Sequence, residues 1–348
     1  ETVKTQIRSI LSKTETRAQA ELIRITLGLM DVVVTTEHKA ALKTVRGGNG
    51  LRERPFRSLQ TADGRRADHI VIGDENGRPV LFFPQDYGLI RWPASAEAAA
   101  ERRGLKVIVP IRPGYGHSTP IRDRARIVPA IVSDAVAILD HYGAQGAPVI
   151  ALSADVFFAF HLAKAHPGRV SAIVNCSTGL PLFNRVQYER MHKWHRFILA
   201  NARYAPSMLP FMVRAGFSLA RRIGKRGFVH AVFGESPADV QTFEDPEVME
   251  AMVLGSEVCL SDWCSAHDAF ASEKILQQQR DWRDIVDACN VPVHIWQGHQ
   301  DPQAPMATVR EMQAEFPHFV FHEDPHAGQL IFFKDWPRIL DLVETFQP

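Results

Sequence analysis

From about residue 57 to the C-terminus, short runs of β-branched and aromatic residues alternate with longer stretches of helical period. The runs are His69–Ile72, Pro79–Phe83, Lys106–Ile111, Pro148–Leu152, Val170–Asn175, Pro292–Trp296 and His318–Phe321. Short apolar runs bounded by turn residues predict strands, and the periodic stretches between most of them predict helices. Strands and helices in alternation give an α/β fold with a mainly parallel sheet covered on both faces. One interruption breaks the rhythm. Between Asn175 and Pro292 lie more than 100 residues of helical period with no convincing strand, rich in Phe, Met, Leu and Trp. This block, about residues 179–284, predicts a helical cap over the carboxyl edge of the sheet, where open α/β sheets bind their ligands.

The first residues follow a different pattern. Val3, Ile7, Ile10 and Leu11 make one helical stripe, with Lys4, Thr5 and Arg8 mostly off it. A second helix is expected after Thr14, with Thr16 and Gln19 at capping-box spacing and Ala20, Leu22, Ile23 and Leu27 on its apolar side. A basic, glycine-rich stretch from Val45 to Arg57 reads as linker. The expected organisation is an N-terminal helical segment (1–30), a linker (31–56), a core (57–178 and 285–348) and the cap (179–284).

Composition narrows the class. The 348 residues carry 40 Lys and Arg against 39 Asp and Glu, a net charge of +1, so the chain as a whole gives no argument for binding a polyanion. The hydrophobic fraction of 45% is too high for disorder. Cys176, Cys259, Cys264 and Cys289 are widely spaced with no CxxC, which argues against a disulfide scaffold or a zinc site and for a reducing cytoplasm. No apolar run reaches the 18 or so residues needed to cross a bilayer. Neither a metal nor an organic cofactor is expected, nor a membrane partner.

Chemistry enters at three loops. Ala151-Leu-Ser153-Ala-Asp155 follows a predicted strand and precedes a predicted helix, a turn that projects a hydroxyl above a sheet and opens helix amides to an oxyanion. A serine needs a base, and the base an orienting carboxylate. Asp301 follows the strand ending at Trp296, and His326 follows the strand at His318–Phe321. Ser, Asp and His in that order, each after a strand, is the order of an α/β-hydrolase triad. Taken singly, each residue has a plainer explanation: a helix cap, a turn former before Pro302, and one loop histidine among 15.

From about residue 57 onward the chain resembles the α/β-hydrolase superfamily with a helical cap. The resemblance rests on Pro79–Phe83, on the segment Val107-Ile-Val-Pro-Ile-Arg-Pro-Gly114-Tyr-Gly116-His-Ser118, on the Ser153 elbow, on Trp296 to Asp301 and on the His326 loop. It implies Ser153 as nucleophile, His326 as general base and acid, Asp301 as its orienting carboxylate, and the backbone amides of Ala154 and Asp86 as oxyanion donors. The chain departs from the family pattern in three places: Pro84-Gln85 stands for His-Gly, Asp155 for the last elbow glycine, and Ile111 for the Asp before the Arg-Gly segment. Dehalogenases and epoxide hydrolases of this scaffold use an Asp nucleophile, which disfavours them here. Residues 1–30 resemble the last two helices of a LuxR-type helix-turn-helix domain, through Thr2-Val3-Lys4, Ile10-Leu11-x-Lys13 and Arg17-Ala-Gln-Ala-Glu-Leu. In a complete domain that resemblance would make Lys4, Thr5 and Arg8 candidates to touch phosphates or base edges and the second helix a dimerisation element, so a homodimer is expected; the plainer alternative is an amphipathic helical hairpin that packs on the hydrolase domain or pairs two protomers.

Within the cap, Trp194, Phe211 and Trp263 are candidates to line a pocket for a small-molecule substrate or ligand, although aromatics at helical spacing usually pack a cap against its core. Two functions follow. The first is a serine hydrolase cleaving an ester, lactone or similar acyl bond of a small, largely apolar molecule. The second is a LuxR-type transcription regulator whose hydrolase-like domain senses such a molecule with little or no turnover.

Overall fold

The computed structural model describes residues 50–346 apart from 183, 262 and 265. The proposed N-terminal helices, with Lys4, Thr5 and Arg8, lie outside the described residues. Among the described residues, eight strands form one sheet: β1 (Arg57–Gln60), β2 (Arg66–Gly73), β3 (Arg78–Phe83), β4 (Leu105–Ile111), β5 (Ala147–Leu152), β6 (Val170–Cys176), β7 (Val293–Gly298) and β8 (Val320–Asp324). Their order is β1-β2-β4-β3-β5-β6-β7-β8. β2 runs antiparallel to β1 and β4, and every other pairing is parallel.

Seven of these strands are the apolar runs of the sequence, and β2 to β7 are apolar because both sheet faces are covered, whereas β8 at the far edge is exposed or half-buried throughout. Alternate residues of one strand feed opposite layers: Val80 and Phe82 pack with Trp92 and Phe332 on one face, and Leu81 and Phe83 with Phe158 and Ile131 on the other. The sequence gives no sign of β1. Its Arg-Ser-Leu-Gln composition alternates between exposed and half-buried positions at the sheet edge. β8 begins two residues later than the apolar run suggests, because the Phe319 amide turns back to the Phe316 carbonyl.

Helices connect the parallel strands. α1 (Ala94–Arg102) follows β3, α2 (Arg124–His141) follows β4, and α3 (Val156–Ala165) follows β5 through a single 3-10 turn, Ser153–Asp155. Between β6 and β7, the described residues form eight helices: α4 (Arg185–Arg190), α5 (Lys193–Tyr204), α6 (Leu209–Phe233), α7 (Pro237–Phe243), α8 (Pro246–Gly255), α9 (Glu257–Leu260), α10 (His267–Gln279) and α11 (Arg283–Asp287). α6 is broken at Gly224, whose φ of 77° is outside the helical region. α12 (Met306–Glu315) follows β7 and α13 (Ile331–Glu344) follows β8. No helix among the described residues is long and apolar enough to cross a membrane.

Because β3 and β5 are parallel neighbours, with Phe83 beside Ala151, the chain leaves both strands at the same edge of the sheet. The loop at 84–86 and the turn at 153–155 therefore emerge side by side. β6 and β7 deliver Ser177 and the 299–304 loop to the same edge, since Cys176 pairs with Trp296. The insertion lies over this edge.

Candidate active site

Ser153 has φ of 49°, a left-handed conformation that costs a non-glycine residue about 1–2 kcal/mol. The surroundings hold it there. The Asn175 side chain donates from Nδ2 to the carbonyls of Ala151 and Ser153, each at 3.0 Å, and accepts the Gly179 amide at 3.1 Å. Gly179 is obligatory, since a β-carbon at this position would collide with the Ser153 carbonyl. The hydroxyl is almost completely buried and donates to Oε1 of Gln303 at 3.3 Å. The same oxygen accepts Nε2 of Gln329 at 2.5 Å.

Asp301 is buried and its carboxylate is fully engaged. Oδ2 accepts from the Ser177 hydroxyl at 2.6 Å and from Gln297 Nε2 at 3.3 Å. Oδ1 accepts the amides of Gln303 and Ala304 at 2.8 and 3.1 Å, an Asx turn that places Gln303 beneath Ser153. Burial pushes this carboxyl upward against those bonds.

His326 is the expected triad member that the structure does not bring in. Its residue is exposed, its amide donates to Asp324 Oδ1 at 2.7 Å, and its carbonyl accepts Lys334 Nζ at 2.5 Å. Its ring is a hydrogen-bond partner of neither Ser153 nor Asp301. β8 ends at Asp324, so Pro325 and His326 form the outer tip of the turn, and the chain re-enters at Ala327 to Leu330, all buried. The side chain delivered toward Ser153 is therefore Gln329, three residues later. Asp239 of α7 fixes this return by accepting the Gln329 and Leu330 amides at 3.0 and 2.7 Å. A β-carbon on Gly328 would strike that carboxylate.

Beyond Asp301 and Asp239, five further charged side chains among the described residues lie buried around the site. Arg112 donates from Nε and Nη2 to Glu273 at 2.9 and 3.1 Å, from Nη1 to the Pro84 carbonyl at 3.0 Å, and also to Asp155. Tyr115 adds its hydroxyl to Glu273 at 3.1 Å. Two carboxylates share one guanidinium, and burial pushes both Asp155 and Glu273 above the ordinary carboxylate range. Next to them, Lys274 Nζ lies 2.5 Å from Asp86 Oδ2 and donates to Gln277 Oε1 at 3.1 Å. Gln277 in turn donates to the Ala154 carbonyl at 3.3 Å. Buried charges persist only when paired, and here α10 of the insertion supplies partners to two loops of the sheet domain.

Asp86, Lys274, Gln85, Gln303 and His195 line a small polar chamber. Burial, helped by the charges of His192 and Lys274, pushes the His195 imidazole down to about 3, so it is neutral at pH 7. Tyr87, Trp194, Ile198 and Phe270 line both this chamber and a larger, partly open apolar cavity of about 80 Å³, bounded further by Phe217 and Val232. Of the three expected pocket residues, Trp194 faces both spaces. Phe211 does not line them: it is 72% exposed on the outer face of α6. Trp263 is also half exposed and stacks on His117 at 4.5 Å, away from both spaces.

The α/β-hydrolase-fold family profile matches residues 79–217, from the start of β3 into α6. Solved structures agree over more of the chain. An esterase from the thermophile Thermogutta terrifontis superposes with a TM-score of 0.57 at 20% identity, covering 84% of this chain and 97% of that one. An esterase from Rhodococcus sp. ECU1013 gives 0.58 at 16%, covering 84% and 98%, and an epoxide hydrolase from Vigna radiata gives 0.58 at 16%, covering 84% and 97%. This is the α/β-hydrolase fold. At such identities the likeness concerns the fold alone, and esterase and epoxide hydrolase neighbours do not choose between nucleophiles. No curated protein matches the chain in sequence.

Set on the α/β-hydrolase fold, the features that sequence reasoning missed are Gln303, Gln329, Asn175, Lys274 and His195. Asn175 ends the apolar run Val170–Asn175, one residue before β6 stops, which was a usable signal. Gln329 stands immediately before the last helix begins at Leu330–Ile331, closer to a buried helix start than His326. Lys274 and His195 carry no local signal, since each lies among polar residues on a helix whose buried face depends on what it covers.

Proposed function

We propose that this chain is a ligand-binding domain on the α/β-hydrolase fold. It takes up a small, largely apolar molecule between the helical insertion and the sheet, with little or no turnover through a serine triad. The observation that carries this reading is the partner of Ser153 Oγ, the carboxamide of Gln303, itself held by Gln329. A carboxamide takes no proton at neutral pH, so it cannot serve as general base. Loss of the triad base costs about 10⁶ in turnover where it has been measured in a serine protease. The apolar cavity supplies the binding energy, and the amides of Ala154 and Asp86 at the sheet edge are the donors for a ligand carbonyl. The resemblance of residues 1–30 to a LuxR-type helix-turn-helix supports a regulatory output in the cytoplasm, through Lys4, Thr5 and Arg8 of a complete, dimeric DNA-binding domain.

The test is labelling with a fluorophosphonate and turnover of a p-nitrophenyl ester panel, beside thermal stabilisation by small apolar molecules. Stabilisation without labelling or turnover is the expected result. Ester turnover that vanishes in Ser153→Ala would reverse it.

One observation favours the second reading, a serine hydrolase of esters or lactones. Ser153 holds a left-handed backbone that a mere helix cap does not require, and strain of this kind collects at reactive turns. In that reading His195, on the wall of the chamber that Gln303 also lines, is the candidate base in place of His326. Loss of labelling in His195→Ala with retained stability would select it.

A further inference from the structure

We propose that Asp86 is the head-group receptor of the pocket, and that the ligand is an uncharged amphiphile whose polar end donates a hydrogen bond, as a hydroxyl or a secondary amide N–H does. This rests on the binding reading above and names the chemistry of its ligand. Asp86 is 3% exposed and lines the polar chamber. Its Oδ2 is taken by Lys274, whereas Oδ1 is buried with no hydrogen-bond partner among the described residues. A buried acceptor without a donor is costly, and a site that leaves one open selects ligands that fill it.

The rest of the chamber decides the charge. Lys274 and Asp86 already neutralise each other, and His195 is uncharged. Arg112, the other buried cation of this region, is engaged by Asp155 and Glu273. A carboxylate head would meet the open Asp86 oxygen with no free cation among these groups to offset it. An ammonium head would compete with Lys274 for the same carboxylate. A neutral donor meets neither penalty. The apolar space beyond Tyr87 and Trp194 fits an aliphatic or aromatic body.

Four probes test this on the full chain, read by intrinsic tryptophan fluorescence, to which Trp194 at the chamber wall contributes, and by calorimetry: N-octylacetamide, its N-methylated analogue, octanoate and octylamine. N-octylacetamide should bind at least about tenfold tighter than the N-methyl compound, and both ions should bind more weakly still. In the double variant Asp86→Leu with Lys274→Met, which removes the ion pair without stranding a charge, the two amides should bind equally. Gly216→Trp, which fills the apolar cavity, should abolish binding of both. Equal affinity of the two amides for the unmodified protein, with binding still lost in Gly216→Trp, overturns the head-group assignment and leaves the binding reading standing. Tighter binding of octanoate overturns it likewise. Binding of none of the four overturns the assignment together with the cavity reading.

Discussion

Arg112 is where two departures from the family pattern meet. The resemblance puts an Asp at 111 and a Gly at 155, and this chain has Ile111 and Asp155 instead. The carboxylate that leaves one side of the buried guanidinium returns from the elbow, so Asp155 does not lie as an uncompensated charge beside Ser153. Removing one member of a buried pair strands the other, typically at about 3–5 kcal/mol. Glu273 still faces Arg112, so Asp155→Ala should cost about 3 kcal/mol, seen as a lower urea midpoint; an unchanged midpoint would show that the pair contributes nothing. His326 lies at the opposite extreme. As an exposed residue whose ring has no hydrogen-bond partner among the described residues, it should tolerate Ala within about 0.5 kcal/mol, with ligand binding unaltered. A melt shifted well beyond that, or loss of ligand binding, would return His326 to the site. Gln329→His is the complementary change: an imidazole there should raise the rate of fluorophosphonate labelling at Ser153, and mass spectrometry of the labelled peptide would check it.

At the scale of elements, strands were the most legible part of the chain. A strand covered on both faces must be apolar throughout, and that constraint is local enough to show as a run, as in Val149 to Leu152. β1 escaped because an edge strand with alternating exposure needs no such run. The helices of the insertion were legible as helices but not as walls: Trp194 and Phe211 look alike in sequence, and only the packing of α5 and α6 turns one inward and the other out. The break in α6 belongs to this scale too. Gly224 permits φ of 77° with no atom within 4 Å of a would-be β-carbon, so space is not the constraint there. Gly224→Ala should cost about 1 kcal/mol through backbone strain alone, and a thermal melt would detect it. Stabilisation instead would mean that the helix straightens.

For the molecule as a whole, the insertion and the sheet domain are tied by buried polar groups as well as by apolar contact. Asp239 reaches from α7 to the amides of Gln329 and Leu330, and burial, aided by the charge of Asp301, raises its carboxyl to about 7 from an ordinary 3.8. A raised folded-state value means that the folded chain holds the proton more tightly than the unfolded one. The stability this group contributes is complete below about pH 4 and is lost as pH rises through about 7. The melting temperature should therefore fall between pH 5 and pH 8, and fall less in Asp239→Asn, which has no proton to lose. Equal slopes for the two proteins would place the pH dependence elsewhere.

The sequence alone determined the α/β fold, seven of its eight strands, the place of the insertion and the turn that carries Ser153, because each follows from patterns between residues close together along the chain. Tertiary structure alone decided that Gln303 and Gln329, rather than His326, stand with Ser153, and that Lys274 and His195 face the same chamber as Asp86. The loop after β8 is a matter of where the chain turns back into the core. A shift of three residues there exchanges an exposed imidazole for a buried carboxamide, and composition along the loop is the same either way.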